Sequence, residues 1–537
     1  MSAEWGRDVR SPSLADVARG ESAPFDWEAL REQALSARGI VVALAGACTL
    51  LHVLCSGRYG YFRDELYFAI CGDHLAWGYV DQAPLIAMIA RVSRVLLGDS
   101  LFALRFLSAI ASGAAVFIGG EIARELGGRR FAQGLAALCV LLAPIYLTFG
   151  NLLTMNAFEP LFWGLCALLA VRAIRYGRPH LWLWFGAVAG LGLQNKHSML
   201  FFGLGIFLGL VLTEERREFA SPWIWAGGAI AALIFLPNVM WQAAHGWPTL
   251  EFLRYRQPAE NAPVAPLTFI AQQALLTNPV AAPVALAGVV FLFFARAARE
   301  YRFLAWGYVT VLAGMILFQG KIYYVAPYDL ILFGAGGVCL ERWIARAGRE
   351  WLKAAVVAPI VASGLVAAPL ALPILPVRGA VWYTHFMHVT DVRVEIQTEG
   401  DLPQLFADQF GWENQVATVA AVRDRLPLVE QQRAVVLAGA YGEAAAVDYF
   451  GAPYGLPKAI CAENAYYLWG PRGASDEVVI AFGINRTKLG QVFGEIQQVD
   501  TIRSPYAMPD ETDLPVYICR KPKMGFEKAW PILRSFG

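Results

Sequence analysis

Charge is what this chain has little of. Only 16% of its 537 residues are Asp, Glu, Lys or Arg, against roughly 25% in an ordinary soluble domain. Basic and acidic residues nearly cancel, 44 against 43, so the basic footprint of a nucleic-acid-binding protein is missing. Cysteine is sparse and shows no paired metal-ligand spacing. Nor is there a Gly-rich phosphate loop, a Ser nucleophile elbow or an H-E-x-x-H helix. Those gaps remove the P-loop, serine-hydrolase and zincin classes. The first forty residues are polar and mixed in charge, without the basic-then-apolar layout of a cleavable signal. No internal repeat or low-complexity tract is visible.

What the chain does have is apolar surface. Hydrophobic residues make up 57% of it. They gather into runs of about 17 to 22 residues, the length that crosses a hydrocarbon core of about 30 Å. Eleven spans follow: 40–57, 101–120, 131–149, 157–174, 181–194, 197–212, 222–241, 278–296, 303–319, 323–340 and 354–375. The chain reads as a polytopic all-α membrane protein. The break between 181–194 and 197–212 is only Gln194-Asn195-Lys196-His197.

Arginine fixes the orientation. Loops after even-numbered spans hold Arg124, Arg129, Arg130, Arg172, Arg175, Arg178, Arg216, Arg217, Arg296, Arg299, Arg302, Arg342, Arg346, Arg349 and Lys353. Positive loops stay cytoplasmic, so the amino-terminal segment 1–39 is expected inside and the end of the chain outside. Reading 181–212 as one re-entrant unit would scramble that asymmetry. Two outward loops stand out in the transmembrane domain 40–376, at 57–100 and 242–277. The first has room for interfacial helices, with Leu85–Leu97 amphipathic and Arg91 and Arg94 on its polar face. From 377 to 537 the pattern is that of a soluble α/β domain, with strands at 435–438, 478–482 and 516–519. Cys461 and Cys519 fall there and can pair in an oxidising compartment. Cys48, Cys55, Cys139, Cys166 and Cys339 lie in or beside apolar runs and read as small core residues.

The polar residues that interrupt the pattern fall on the outward side. Asp64 and Glu65 follow the first span, with Asp81 beyond. A carboxylate there can accept a proton from an attacking hydroxyl, or simply favour a helix N-terminus; Glu65 can act or merely orient its neighbour. Asn156 and Glu159 precede Pro160, a first-turn proline on this reading. Asp81 serves the site or caps the helix after Pro84. Lys196, Arg254, Arg256 and Lys321 suit a phosphate, or snorkel to lipid headgroups. His197 and His245 bind, carry protons or are structural. Tyr323 and Tyr324 flank Lys321. The run Tyr466-Tyr467-Leu468-Trp469-Gly470 stacks on sugar rings or forms a buried strand edge.

Taken together these segments resemble the membrane glycosyltransferases of the GT-C type, most of all bacterial lipid A aminoarabinose transferases and relatives of protein O-mannosyltransferases. The likeness rests on Arg63-Asp64-Glu65-Leu66-Tyr67, Val80-Asp81-Gln82-Ala83-Pro84-Leu85, Thr154 to Leu161, Gln194 to Ser198, Trp241 to Phe252 and Gly320 to Pro327. It covers about 40 to 340. It implies transfer of a sugar from a polyprenyl-phosphate donor to a lipid, glycan or protein acceptor at the periplasmic face of a bacterial inner membrane. It implies Asp64 as catalytic carboxylate, Glu159 as a second one, and Lys196 and Lys321 near the lipid phosphate. Gln82 stands where aminoarabinose transferases carry a phosphate-binding Lys, and Ala83 replaces a common Pro, so aminoarabinose is not implied. A divalent ion on Asp64, Glu159 or His245 would add a Lewis acid. The competing class is a transporter or lipid-linked sugar flippase, which usually shows repeats and broken helices near the midplane.

Overall fold

Long apolar runs can satisfy their backbone inside a bilayer only as helices, and every one of the eleven predicted spans is helical. The computed structural model describes residues 36–255, 264–388 and 400–535. The segment 1–39 and Arg256 therefore lie wholly or largely outside the described residues. Among the described residues six helices are long and apolar enough to cross a membrane, or up to eight if each bent pair is one span. The bent pairs are Arg130–Leu142 with Pro144–Gly150, turned by 63°, and Ala282–Phe294 with Arg296–Leu317, turned by 96°. Helices Leu181–Asn195 and Met199–Val211 run only 15 and 13 residues. At 1.5 Å per residue each falls short of an untilted crossing of about 30 Å.

The break between those two helices is real, because Lys196 takes extended backbone (φ −158, ψ 134) and ends the first of them. Helix Leu181–Asn195 packs on Pro222–Ala244 through paired glycines. A Cβ on Gly186 would come within 1.9 Å of the Gly227 carbonyl, so only Gly allows that approach. Helix Met155–Arg175 starts before Glu159, which corrects the expected first-turn role of Pro160. The proline sits inside the helix and leaves the Asn156 carbonyl without its usual donor.

One long helix, Leu101–Glu125, carries charge at both ends. At its far end the buried Glu121 and Glu125 are clasped by Arg124 (2.8 and 2.7 Å) and Arg172 (3.4 and 2.9 Å). Near its start Arg105 is fully buried. The outward loop 57–100 folds into helices Arg63–Asp73 and Leu85–Leu97. Arg91 and Arg94 of the second reach Asp73 of the first at 2.8 and 3.1 Å.

Residues 400–535 form an α/β unit. Its strands are β1 (Val435–Ala438), β2 (Ile460–Cys461), β3 (Val478–Phe482), β4 (Phe493–Arg503) and β5 (Asp513–Pro522). The sheet order is β2-β1-β3-β5-β4. β2, β1 and β3 run parallel, while β5 is antiparallel to both β3 and β4. Parallel strands covered on both faces read as unbroken apolar runs, which is why β1 and β3 were predictable. Val436, Ala438, Ile480 and Phe482 join a core with helices Trp412–Asp424 and Tyr441–Phe450. Leu66, Tyr67 and Ile70 of the outward loop belong to that same core. Val435, Leu437, Val479 and Ala481 face the other way, onto Leu489, Val492 and Trp530. All eight cysteines are free; β1 and β3 stand between Cys461 on β2 and Cys519 on β5, so the expected pair does not form. Tyr466 to Trp469 lie in helix Asn464–Trp469, not at a strand edge.

Candidate active site

Helix Arg63–Asp73 places two adjacent carboxylates in its first turn. Glu65 is fully buried and closed. Arg105 grips it bidentately, Nε to Oε1 and Nη2 to Oε2, both at 2.8 Å. The backbone N–H groups of Phe62 and Leu153 also donate to it, each at 2.8 Å. Arg105 spends its other donors on the carbonyls of Ser56 (3.0 Å) and Gly60 (2.9 Å) and on Gln409 (3.3 Å). This geometry answers the choice left open for Glu65: it orients the turn that bears its neighbour, and it pins the loop before Met155 to the same point.

Asp64 is different. About a third of its side chain (32%) stays exposed. Its Oδ1 accepts a 2.7 Å hydrogen bond from the Tyr441 hydroxyl, across 377 residues of sequence. Asp81 lies alongside: Tyr67 donates its hydroxyl to Oδ1 at 2.9 Å, and Asn464 donates its amide to Oδ2 at 3.3 Å. Tyr67 in turn accepts from the Ala465 N–H at 3.2 Å. Burial pushes the Asp81 carboxyl up to about 7, opposed by the Tyr67 hydrogen bond and reinforced by the nearby Asp64 charge. The alternative of Asp81 as a helix cap fails, since Pro84 occupies that position and no side chain caps it.

A second cluster forms where three other turns meet. Lys196 donates from Nζ to Asn156 Oδ1 at 2.6 Å and to Glu159 Oε2 at 2.9 Å. Its ammonium also lies 4.0 Å from the Tyr324 ring centroid and 5.5 Å from that of Tyr323, within cation–π range. Ser198 holds the other oxygen of Glu159. Lys321 stands directly before the Ile322–Tyr328 turn that carries both tyrosines. The two clusters are bridged by the turn before Met155: Leu153 binds Glu65, while Asn195, next to Lys196, donates to the Met155 carbonyl at 2.9 Å. Asp64, Asp81, Asn156, Glu159, Lys196, Tyr323 and Tyr324 thus share one end of the bundle, as their placement in the sequence predicts.

Other predicted residues stand apart. His245 is exposed, stacked 4.1 Å from the Trp241 ring, with Nδ1 2.8 Å from the Trp241 carbonyl. Arg254 is exposed on helix Pro248–Tyr255. His197 is held by Asn238 at 3.3 Å. Among the described residues no three His, Cys, Asp or Glu side chains gather closely enough to hold a metal ion. Asp64, Glu159 and His245 are committed to Tyr441, Lys196 with Ser198, and Trp241 respectively, so they do not fit as one ligand set.

Reading the sequence missed Arg105, Tyr67, Ser198, Tyr441 and Asn464. Arg105 left a signal, a lone arginine inside an apolar run. The two residues from the α/β unit left none, because their partners are almost 400 positions away.

A helical bundle with acids and lysines at one end, joined to an α/β unit, has solved counterparts. ArnT from Cupriavidus metallidurans, bound to undecaprenyl phosphate, aligns with a TM-score of 0.60 at 13% identity, over 89% of this chain and 97% of that one. The Archaeoglobus fulgidus oligosaccharyltransferase, solved with zinc and sulfate, aligns at 0.53 and 12% identity, over 85% of this chain and 68% of the other. The chain shares the GT-C fold of these two membrane proteins. Residues 81–241 match the family model described as dolichyl-phosphate-mannose-protein mannosyltransferase. The lipid A galacturonosyltransferase RgtD of Rhizobium johnstonii is 25% identical over 209 residues, a stretch that spans 38% of this chain and 44% of that protein.

Proposed function

We propose that the protein is a membrane glycosyltransferase that moves a sugar from a polyprenyl-phosphate donor to a lipid, glycan or protein hydroxyl. The observation that carries this reading is the pairing, at one end of the bundle, of a half-open carboxylate with a preorganised lysine: Asp64, 32% exposed, and Lys196, held by Glu159 at 2.9 Å. In the reaction the acceptor oxygen bonds to the anomeric carbon while the bond from that carbon to the phosphate oxygen breaks. Asp64 takes the hydroxyl proton, and the departing phosphate takes up negative charge. Lys196 has three N–H donors, two of them used by Asn156 and Glu159, which leaves one to aim at that charge. Lys321 adds a second cation beside Tyr323 and Tyr324. One displacement inverts the anomeric centre.

Eleven crossings with the amino terminus cytoplasmic, the reading that the loop arginines favour, would put this end of the bundle and the α/β domain at the periplasmic face of an inner membrane. The match to a lipid A galacturonosyltransferase makes lipid A the first acceptor to test. The α/β domain, which adjoins the site, helps select that acceptor. In an Asp64→Asn strain at unchanged protein level, we expect the sugar-loaded carrier lipid to accumulate and a surface glycan modification to disappear, with transfer down at least about 1,000-fold. Normal glycosylation by that variant would sink the assignment. Carrier-lipid pools that stay unchanged in a deletion strain would favour transport instead.

A further inference from the structure

We infer that the α/β domain supplies a positioning residue to the active site: the Tyr441 hydroxyl sets the orientation of Asp64. The inference rests on Asp64 acting as the base, and it deepens that reading by making the site a composite of two domains.

Three independent observations meet at this seam. The first is the bond itself. Tyr441 is buried, opens helix Tyr441–Phe450 and donates to Asp64 Oδ1 at 2.7 Å. Among the described residues no other hydrogen bond to the Asp64 carboxylate is seen, so this phenol decides which oxygen faces the open side.

The second is how firmly Tyr441 is itself held. Its backbone N–H donates to Glu463 at 2.6 Å, and its ring packs 4.8 Å from that of Tyr67. The Arg63 guanidinium lies 5.5 Å over its face. Gly442 follows because a Cβ there would sit 2.5 Å from the Arg63 side chain. A phenol locked on four sides is a fixed donor rather than a surface tyrosine that happens to touch.

The third is that the seam repeats the device one residue pair away. Asn464, from the same domain, reaches Asp81 while its backbone is left-handed (φ 46). Asn is among the few non-glycine residues that adopt that conformation readily. The backbone is drawn in as well: Arg63 N–H donates to the Asp408 carbonyl at 3.1 Å. A Cβ on Gly60 would lie 2.1 Å from the Gln409 carbonyl. The two acids on the outward loop are thus each met by a hydrogen-bond donor from the α/β domain.

The measurement is made on the full-length protein in detergent. Tyr441→Phe keeps the ring but removes the donor, so kcat for transfer should fall by about 10-fold while KM for the carrier lipid stays within about twofold. Tyr449→Phe, which removes the 3.2 Å Tyr61 contact at the same seam, should leave both in place.

An unmoved kcat in Tyr441→Phe overturns the inference, and so does an equal loss in both variants, which would mean a loosened seam. If Tyr441→Phe does not accumulate, 3-fluorotyrosine at position 441 decides. It keeps the hydroxyl, and its fluorine resonance should move in the Asp64→Asn background; a resonance that stays in place overturns the inference. That readout does not depend on transfer, so a moving resonance alongside an active Asp64→Asn variant would sink the enzymatic reading while leaving the link intact.

Discussion

Asp64 and Glu65 are neighbours in one helical turn, yet their surroundings are opposite. Around Glu65 everything is closed: both partners of the Arg105 pair are fully buried, and two backbone N–H groups complete the carboxylate. Around Asp64 there is one phenol, a distant arginine at 3.9 Å, and partial exposure. The same chemistry, a carboxylate at a helix start, is sealed in one place and left open in the other, as the proposed base would have to be. The difference is the number of donors. A carboxylate with every lone pair engaged has no oxygen left for a new partner, whereas one held by a single donor keeps an oxygen available.

The sharpest way to break this comparison is to open the closed side. Arg105→Met leaves Glu65 buried without its cation, which costs about 3 to 5 kcal/mol. The variant should fail to accumulate in membranes or elute as aggregate on size exclusion. Replacing both partners, Arg105→Met with Glu65→Leu, removes the uncompensated charge but orphans the Phe62 and Leu153 N–H groups, so it should recover only part of that loss. A single Arg105 variant of normal abundance and melting temperature would show that the pair is no scaffold.

Next in size is the cation of the second cluster. Lys196→Met removes the donor that the proposed mechanism aims at the leaving phosphate and should lower transfer by about 100-fold. Lys196→Met also leaves the buried Glu159 with Ser198 as its remaining partner, which costs stability of its own, so transfer is compared per amount of folded protein. Carrier-lipid turnover in isolated membranes measures it. Equal losses of protein and activity would make Lys196 another scaffold residue.

How much of this was legible beforehand follows the range of the contacts. Apolar length marks a helix locally, so each of the eleven segments is helical, although among the described residues only six to eight helices are long and apolar enough to cross a membrane; the loop helix Leu85–Leu97 and the buried strands β1, β3 and β5 were legible too. Two strands were not. β2 is two residues long, and β4 is an edge strand whose residues are mostly half-buried or exposed, so neither carries an apolar run. Tyr466 to Trp469 misled because aromatic residues favour strands, while here they follow Asn464 into a short helix. Asp64, Glu159 and Lys196 were visible as charge out of place, but what each is bonded to was not. Glu65 is the clearest case: only the fold reveals Arg105, forty residues on, and hence its closed role.

A smaller effect should appear with pH. Glu511 sits in the same seam, accepting from Gln415 at 2.9 Å. Burial, helped by the Asp408 charge, pushes its carboxyl up to about 8, and Asp81 stands at about 7. Both folded values exceed the ordinary carboxylate range near 4. The folded protein therefore holds more protons than the unfolded chain between about pH 4 and 8, and its stability falls as pH rises through that window. Melting temperature should rise by about 2 to 4 °C from pH 8 to pH 6. Glu511→Gln, which mimics the protonated acid, should raise it at pH 8 and flatten the profile. A flat profile in the unaltered protein would mean that water reaches these acids, and that the seam is less closed than it looks.

The smallest effect belongs to the ion pair that most resembles Glu65–Arg105 on paper. Arg91 meets Asp73 at 2.8 Å, as short as the buried pair, but the two side chains are 48% and 33% exposed. Water already screens them, and holding a long side chain in place costs rotamer entropy, so exposed pairs contribute about 0 to 1 kcal/mol. Asp73 also keeps Arg94 at 3.1 Å. Arg91→Ala should therefore shift the melting temperature by less than about 1 °C and leave transfer unchanged. If it instead behaved like Arg105→Met, distance rather than burial would be what separates scaffold from surface here, and the contrast between Glu65 and Asp64 would lose its physical basis.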